Sequence, residues 1–160
     1  VHEDWAEDWK PENAKRIVNA AITANGPRID AVLASNDGTA GGAIQALSEE
    51  GLAGKVLVTG QDAETVALQR IAVGTQAMTI YKPLRTLASG AAELAVQMAG
   101  RRVVVAGKSV DNGHGPVPSV LFDVVTVTRD NILETVVRDG QASYDDVYRG
   151  IPSDQRPPRP

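Results

Sequence analysis

Three polar residues of this chain each come within two residues of the end of an apolar, strand-like run and shortly before a helical pattern. They are Asn36, Asp62 and Lys82, and the runs are residues 29–35, 55–60 and 76–81. Short apolar runs bounded by turn residues are typical of buried parallel strands, whose carboxyl ends share one ligand-binding edge of the sheet. An amide, a carboxylate and an ammonium at one edge can hold a polyhydroxylated small molecule through charge-assisted hydrogen bonds.

Each of these residues also has a structural interpretation. Asn36 and Asp37 precede Gly38, which is turn and helix-capping chemistry. We assign the cap to Asp37 and the ligand contact to Asn36. For Asp62 the alternative is a helix N-cap, and for Lys82 it is a solvated lysine. Because Lys82 stands directly before the helical pattern that begins at Pro83, we favour a position facing the crevice.

The composition excludes several classes of function. The chain has 160 residues, a net charge of −4 and no run of basic residues, so one domain is expected and nucleic acid is not a predicted partner. It has no cysteine, and His2 and His114 lack carboxylate neighbours at ligand spacing, so no metal site is expected. The glycine-rich residues 38–42 match neither dinucleotide nor phosphate-loop fingerprints. We predict no cofactor and no enzymatic activity.

Helical and strand-like patterns alternate along the chain. Helices are predicted at about 11–25, 39–51, 63–74, 83–100 and 130–140, and two further strands at 101–106 and 120–127. Strand–helix alternation predicts an α/β fold, a three-layer sandwich with a mostly parallel sheet. Gly41 and Gly42 are expected to allow a close approach of helix to strand.

Five motifs at these spacings resemble one family. They are Trp9-Lys-Pro-Glu-Asn-Ala, Ala34-Ser-Asn-Asp-Gly-Thr-Ala-Gly-Gly-Ala, Gly60-Gln-Asp-Ala, Gly74-Thr-Gln and Tyr81-Lys-Pro. Together they resemble the C-terminal half of the periplasmic D-xylose-binding proteins, which deliver sugar to an ABC importer. Related glucose/galactose receptors share two of the motifs, whereas Tyr81-Lys-Pro and Val117-Pro118-Ser119 favour the xylose branch.

The resemblance implies a site. In that family a Trp stacks on the pyranose, and an Asn, an Asp and a Lys bind sugar hydroxyls; the matching residues here are Trp9, Asn36, Asp62 and Lys82. Without the resemblance, packing of Trp9 against Trp5 at a helix entry is the simpler interpretation of this tryptophan.

The resemblance also implies an organisation. Residues 1–140 would be an incomplete C-terminal lobe of the type I periplasmic-binding-protein fold, without its first strand–helix unit and with an apolar face left uncovered. Residues 141–160 would be an extension, disordered from about residue 152. The Gly/Pro-rich loop 107–119 would carry the chain between lobes. The implied partners are a pentose such as D-xylose, the missing N-terminal lobe and an ABC permease, and the implied location is periplasmic or extracellular and lipid-anchored.

Three other functions share features with this sequence. A receptor subunit that presents sugar to a sensor kinase or chemoreceptor remains an alternative. The effector lobe of a sugar-responsive repressor shares this fold, but no helix-turn-helix precedes the lobe here and the charge is acidic. A receiver domain would use Asp62 as phosphoacceptor near Lys82, but only one strand–helix unit separates the two residues and the usual acidic pair on the first strand is missing.

Overall fold

A computed structural model describes residues 1–159 of the chain. Within them the five α-helices are α1 (Pro11–Asn25), α2 (Asp37–Glu49), α3 (Thr65–Val73), α4 (Leu84–Ala99) and α5 (Tyr144–Val147). The strands are β1 (Ala31–Val32), β2 (Leu57–Val58), β3 (Thr79–Tyr81), β4 (Lys108–Asp111), β5 (Pro116–Ser119) and β6 (Val125–Val127). There are also 3₁₀ turns at Glu7–Trp9 and Ser153–Gln155 and a π-helical turn at Leu133–Val137.

These elements form two compact units. The first contains residues 1–81 together with the residues from Val125 onward, and the second contains Lys82–Val124. The candidate residues Trp9, Asn36 and Asp62 belong to the first unit, whereas Lys82 is the first residue of the second.

The ends of the first helices follow the local sequence. Pro11 occupies the first position of α1, where its missing N–H leaves no hydrogen bond unmade, and Gly26 follows the last residue. The helix α3 ends at Val73 and is capped by Gly74, which has a φ of 90° and donates its N–H to the carbonyl oxygens of Arg70 and Ile71. Glycine adopts this left-handed conformation at little cost, so it is a common helix terminator. The predicted helices 11–25 and 63–74 are confirmed.

The predicted strands are present but much shorter than expected. β1 and β2 pair in parallel over two residues, and the neighbouring Ala34 N–H donates to the Thr59 hydroxyl, at 3.1 Å, instead of to a main-chain carbonyl. Because a side chain takes this donor, the ladder ends there. β3 is tied to the β2 segment by an isolated parallel bridge between Gln61 and Ile80.

The other two ladders are antiparallel, β3 with β6 and β4 with β5. The prediction of an α/β fold is confirmed. The ladders formed by residues 1–159 are short, one parallel and two antiparallel, and the mostly parallel sheet stays a prediction.

One face of the β1–β2 ladder carries the first part of the core. The helices α1 and α2 pack there, and Leu47 and Val58 are fully buried. Burying one such side chain contributes about 1.5–3 kcal/mol. On the opposite face Leu33 and Leu57 are 89% and 63% exposed, so no helical layer covers this ladder on that side within the described chain. The predicted three-layer arrangement is therefore not complete over β1 and β2.

The small residues of α2 pack differently from the prediction. A Cβ added to Gly42 would overlap the carbonyl oxygen of Pro11, so this glycine allows α1 and α2 to approach closely. A Cβ on Gly41 would lie 3.1 Å from a guanidinium nitrogen of Arg70. Gly41 and Gly42 were expected to allow a close approach to a strand. In the structure Gly42 contacts the helix α1 and Gly41 contacts the Arg70 side chain.

A second buried cluster joins α3 to the strands β3 and β6 and to the chain that follows β6. Its members are Ala63, Leu68, Ile71, Ala72, Tyr81, Val127, Ile132, Val136, Ala142, Val147 and Tyr148. The predicted helix at 130–140 is a π-helical turn. Its hydrogen bonds span five residues, as in the bond from the Val137 N–H to the Ile132 carbonyl, and the Thr135 hydroxyl bonds back to the Asn131 carbonyl.

The second unit contains α4 and the β4–β5 hairpin. None of the α4 residues is buried, and a Cβ on Gly90 would overlap the Phe122 ring. The predicted strand 101–106 was wrong: these residues form no ladder, and Val103 and Val105 are 87% and 84% exposed. Residues 107–119, predicted to be a Gly/Pro-rich loop that crosses between lobes, contain the whole β4–β5 hairpin.

The C-terminal segment makes local contacts. Tyr144 Oη donates to the Pro157 carbonyl at 2.6 Å, and the Arg159 guanidinium lies 4.8 Å from the centre of the Tyr144 ring. The disorder expected from about residue 152 concerns motion, and it stays a prediction. So does the division of the chain at residue 140.

Candidate functional site

Asn36 is the N-cap of α2. Its Oδ1 accepts a hydrogen bond from the Thr39 N–H at 2.9 Å, and the Thr39 hydroxyl accepts one from the Asn36 N–H at 3.3 Å. This reciprocal pair is a capping box. The prediction that Asp37 would cap the helix was therefore wrong. The predicted contact of Asn36 with a ligand stays a prediction. The cap uses Oδ1 of this half-buried side chain, and a ligand would use its amide nitrogen.

Asp37 is a fully buried carboxylate that accepts three hydrogen bonds. Oδ1 accepts from Gln76 Nε2, and Oδ2 accepts from the Thr79 hydroxyl and the Glu64 N–H, each at 2.9 Å. As the first residue of α2 it also lies at the positive end of the helix dipole. Every partner is a donor, as a buried ionised carboxylate requires.

Arg70 completes this network. Its Nη2 donates to the main-chain carbonyl of Asp37 at 2.8 Å, and its Nε donates to Gln76 Oε1 at 2.9 Å. Burial lowers the pKa of the Arg70 guanidinium below its usual value, while the negative charges of Asp37 and Glu64 act in the opposite direction. A Cβ on Gly60 would overlap both Asp37 Oδ1 and Gln76 Nε2, so the network requires glycine at that position.

Asp62 lies in a turn with an uncommon backbone conformation. Its φ is 105° and that of the next residue, Ala63, is 53°. A positive φ in a residue other than glycine costs on the order of 1–3 kcal/mol, and such residues cluster at ligand sites. The N-cap of α3 is Glu64, so the alternative role of Asp62 as an N-cap was wrong.

The turn that carries Asp62 is hydrogen-bonded to the loop that carries Asn36. The Asp37 N–H donates to the Gln61 carbonyl at 2.9 Å, while the Asp62 N–H donates to the Ile80 carbonyl at 2.9 Å. The two strand-end loops are thus joined directly through their main chains. The half-buried side chains of Asn36 and Asp62 each lie next to a residue of this junction.

Trp9 lies in the turn that precedes α1. It closes the first 3₁₀ turn with a φ of 57°, and its side chain is 60% exposed. A Cβ placed on Gly38 would lie 3.9 Å from the Pro11 ring and 3.7 Å from the Asn36 amide nitrogen, so Pro11 and Asn36 both lie close to Gly38. Trp9 precedes Pro11 by two residues. Its indole face is available for stacking.

Lys82 directly follows β3 and is half-buried. Since it begins the second unit, its predicted convergence with Asp62 stays a prediction. The candidate residues of the first unit offer an indole, an amide and a carboxylate, and their convergence on one ligand stays a prediction. Within residues 1–159 no three His, Cys, Asp or Glu side chains are grouped in a way that could hold a metal ion. Across the same residues no helix combines the length and the apolar character needed to cross a membrane.

Sequence reasoning missed the buried network of Asp37, Arg70, Gln76 and Thr79. A signal was present, because Gln76 and Thr79 are polar residues within a run that otherwise reads as a buried strand. Polar side chains in such a strand require buried partners.

The chain belongs to the periplasmic binding protein domain family, whose model matches residues 1–102. It is homologous to the D-xylose-binding periplasmic proteins of Escherichia coli, with 51% identity over 140 residues, and of Haemophilus influenzae, with 47% identity over 148 residues. These matches cover 88% and 92% of this chain but 42% and 45% of the relatives. The chain therefore spans less than half the length of these curated relatives.

A solved structure shows the same fold. It is a carbohydrate transporter solute-binding protein from Chloroflexus aurantiacus in complex with D-glucose, with 36% identity and a TM-score of 0.77. The similarity covers 87% of this chain and 42% of that one. The resemblance drawn from the sequence motifs is confirmed, and the family is one of binding proteins, not enzymes.

Proposed function

We propose that this chain forms the C-terminal lobe of a periplasmic receptor that binds a monosaccharide such as D-xylose and delivers it to an ABC importer. The observation that carries the proposal is the direct hydrogen bond between the two strand-end loops that hold Asn36 and Asp62. This main-chain junction supports an amide and a carboxylate at one edge of the lobe, where α/β sheets bind ligands.

The chemistry of the candidate residues fits a sugar. The Asp62 carboxylate accepts hydrogen bonds from hydroxyl groups, the Asn36 amide nitrogen donates one, and the Trp9 indole offers an apolar face to a pyranose ring. Lys82 supplies a further donor. The names of the two curated relatives favour D-xylose, and the solved relative contains D-glucose. These two sugars differ by one hydroxymethyl group, so both belong in the test.

The receptor works by closure. Sugar that contacts residues of two lobes binds the closed arrangement more tightly than the open one and so shifts the population toward it. An ABC permease recognises the closed form. The N-terminal lobe and the permease are the partners in this proposal, and the compartment is the periplasm, where the homologues act.

Saturation-transfer NMR on the 160-residue chain tests sugar binding directly, because the method detects millimolar affinities. We expect signal transfer to D-xylose or D-glucose and little transfer to the open-chain polyol D-mannitol. Asp62→Ala should lose the signal. Asp154→Asn, which changes an exposed carboxylate near the C-terminus, is the matched control and should keep it. Equal transfer to all three compounds, or to wild type and Asp62→Ala, would contradict the proposal.

A further inference from the structure

We propose that the buried carboxylate of Asp37 is a positioning residue that fixes the turn at residues 60–64 and thereby places the Asp62 carboxylate for ligand. The inference rests on the proposed function for its ligand, but the fixing of the turn is a property of the lobe itself.

Asp37 binds the turn on both sides of Asp62. Its N–H donates to the Gln61 carbonyl, before Asp62, and its Oδ2 accepts from the Glu64 N–H, after it, each at 2.9 Å. Two bonds from one residue therefore span the two strained backbone positions, Asp62 and Ala63.

The Asp37 carboxylate also binds Thr79, which in turn binds the main chain of the turn. The Thr79 hydroxyl donates to Asp37 Oδ2, and its oxygen in turn accepts the Ala63 N–H at 3.2 Å. Both contacts are buried, where an unmade hydrogen bond is costly. The positive φ values of the turn persist because the surrounding hydrogen bonds over-determine them.

Two acceptor oxygens at position 37 are essential to this arrangement. Both of its oxygens face donors, so an amide at position 37 would direct an N–H group at another donor. Rotating the Gln76 amide does not relieve the clash, because Gln76 Oε1 already accepts from Arg70 Nε. Asp37→Asn therefore keeps the shape of the side chain and breaks at least one bond of the network.

The first measurement is amide hydrogen exchange on the 160-residue chain. In Asp37→Asn we expect the Glu64 amide to exchange at least tenfold faster relative to the Leu57 amide, which bonds to the Asp30 carbonyl in the β1–β2 region. Leu47→Ala is the control, since it removes a buried side chain from the other core cluster. It should raise both rates together.

A second variant tests the same contact without changing Asp37. Gly60→Ala puts a methyl group where Asp37 Oδ1 meets Gln76 Nε2, so it should raise exchange at Glu64 in the same selective way. A rescue variant, Asp37→Asn with Gln76→Glu, lets the new amide donate to an acceptor that still binds Arg70 Nε. It loses only the bond from Gln76 Nε2 to the Met78 carbonyl, so partial recovery of protection is expected.

The second measurement is the D-xylose affinity of the same proteins, from saturation-transfer titrations. Asp37→Asn should weaken binding at least tenfold, and Leu47→Ala should leave it within twofold in the folded protein. An unchanged Glu64 exchange rate in both Asp37→Asn and Gly60→Ala would overturn the inference. So would selective loosening of the turn with unchanged affinity. Failure of the wild-type chain to bind either sugar would overturn the proposed function instead, while the exchange data still decide whether Asp37 fixes the turn.

Discussion

Asn36 and Thr39 cap α2 reciprocally, because each accepts a hydrogen bond from the other's main-chain N–H, at 2.9 and 3.3 Å. The residue expected to meet ligand is therefore also the residue that caps the helix. The cap uses Oδ1 of Asn36, and a sugar hydroxyl would use its amide nitrogen. The two roles can be separated by substitution.

Asn36→Asp should keep the cap and lose the ligand contact, because aspartate is as good an N-cap as asparagine but has no N–H to donate. Asn36→Ala should lose both, with a fall of about 1 kcal/mol in the free energy of unfolding. Urea unfolding measures the stability. The affinity is measured in a two-lobed chimera, which joins this chain to the part of the Escherichia coli relative outside the match. Unchanged sugar affinity in both variants would restrict Asn36 to capping.

Asp62→Ala should cost about 1.5–3 kcal/mol of sugar binding in the two-lobed chimera, since a charged acceptor is lost. We expect little change in thermal stability. Asp62→Gly should lose a similar amount of binding but be more stable than Asp62→Ala by about 1 kcal/mol, because glycine tolerates a φ of 105°. Calorimetry and urea unfolding of the two variants provide these values. An alanine variant as stable as the glycine variant would show that the backbone is not strained at this position.

The 160-residue chain by itself should bind monosaccharide weakly. A receptor with micromolar affinity has about −8 kcal/mol of binding free energy, and losing half of it gives a dissociation constant of about 1 mM. Water reaching the open site weakens the remaining polar contacts further. Titration of D-xylose into the chain and into the two-lobed chimera compares the two affinities. Micromolar binding by the monomeric chain would show that one lobe contains the whole site.

Because of Tyr148, the free energy of unfolding should fall at high pH. Burial, with a smaller contribution from Tyr144, raises the pKa of Tyr148 above its usual value of 10.0 against the opposing effect of Arg129. Above about pH 10 the unfolded chain therefore releases this proton while the folded chain retains it, and stability is lost as the pH rises toward the folded pKa. Below pH 10 the residue has no such effect.

Tyr148→Phe removes the titrating group and is the comparison for this pH dependence. Urea midpoints of wild type and variant should differ by a constant amount from about pH 7 to pH 9. Above about pH 10 the midpoint of the wild type should fall steadily relative to that of the variant. Parallel curves across the whole range would mean that folding does not change the pKa of Tyr148.

Residues close together in the chain determined the helix ends, the family motifs and the strand-end positions of the candidate residues. Pro11 and Gly74 set helix ends that the sequence alone predicts, because capping and glycine conformations depend on neighbours within one turn. The motifs around Asn36 and Asp62 were sufficient to indicate the family. Their positions after two strands also predicted that they would lie at one edge of the sheet.

Tertiary structure decided what depends on distant partners. Asn36 and not Asp37 caps α2, because the Asp37 carboxylate accepts hydrogen bonds from Gln76, Thr79 and Glu64. These donors lie 27 to 42 residues away in the chain. The positive φ of Asp62 could not be read from its residue type, since the bonds that hold it come from other segments. The run 101–106 has the composition of a strand but no pairing partner among the described residues, and a strand forms only where another chain segment completes its hydrogen bonds.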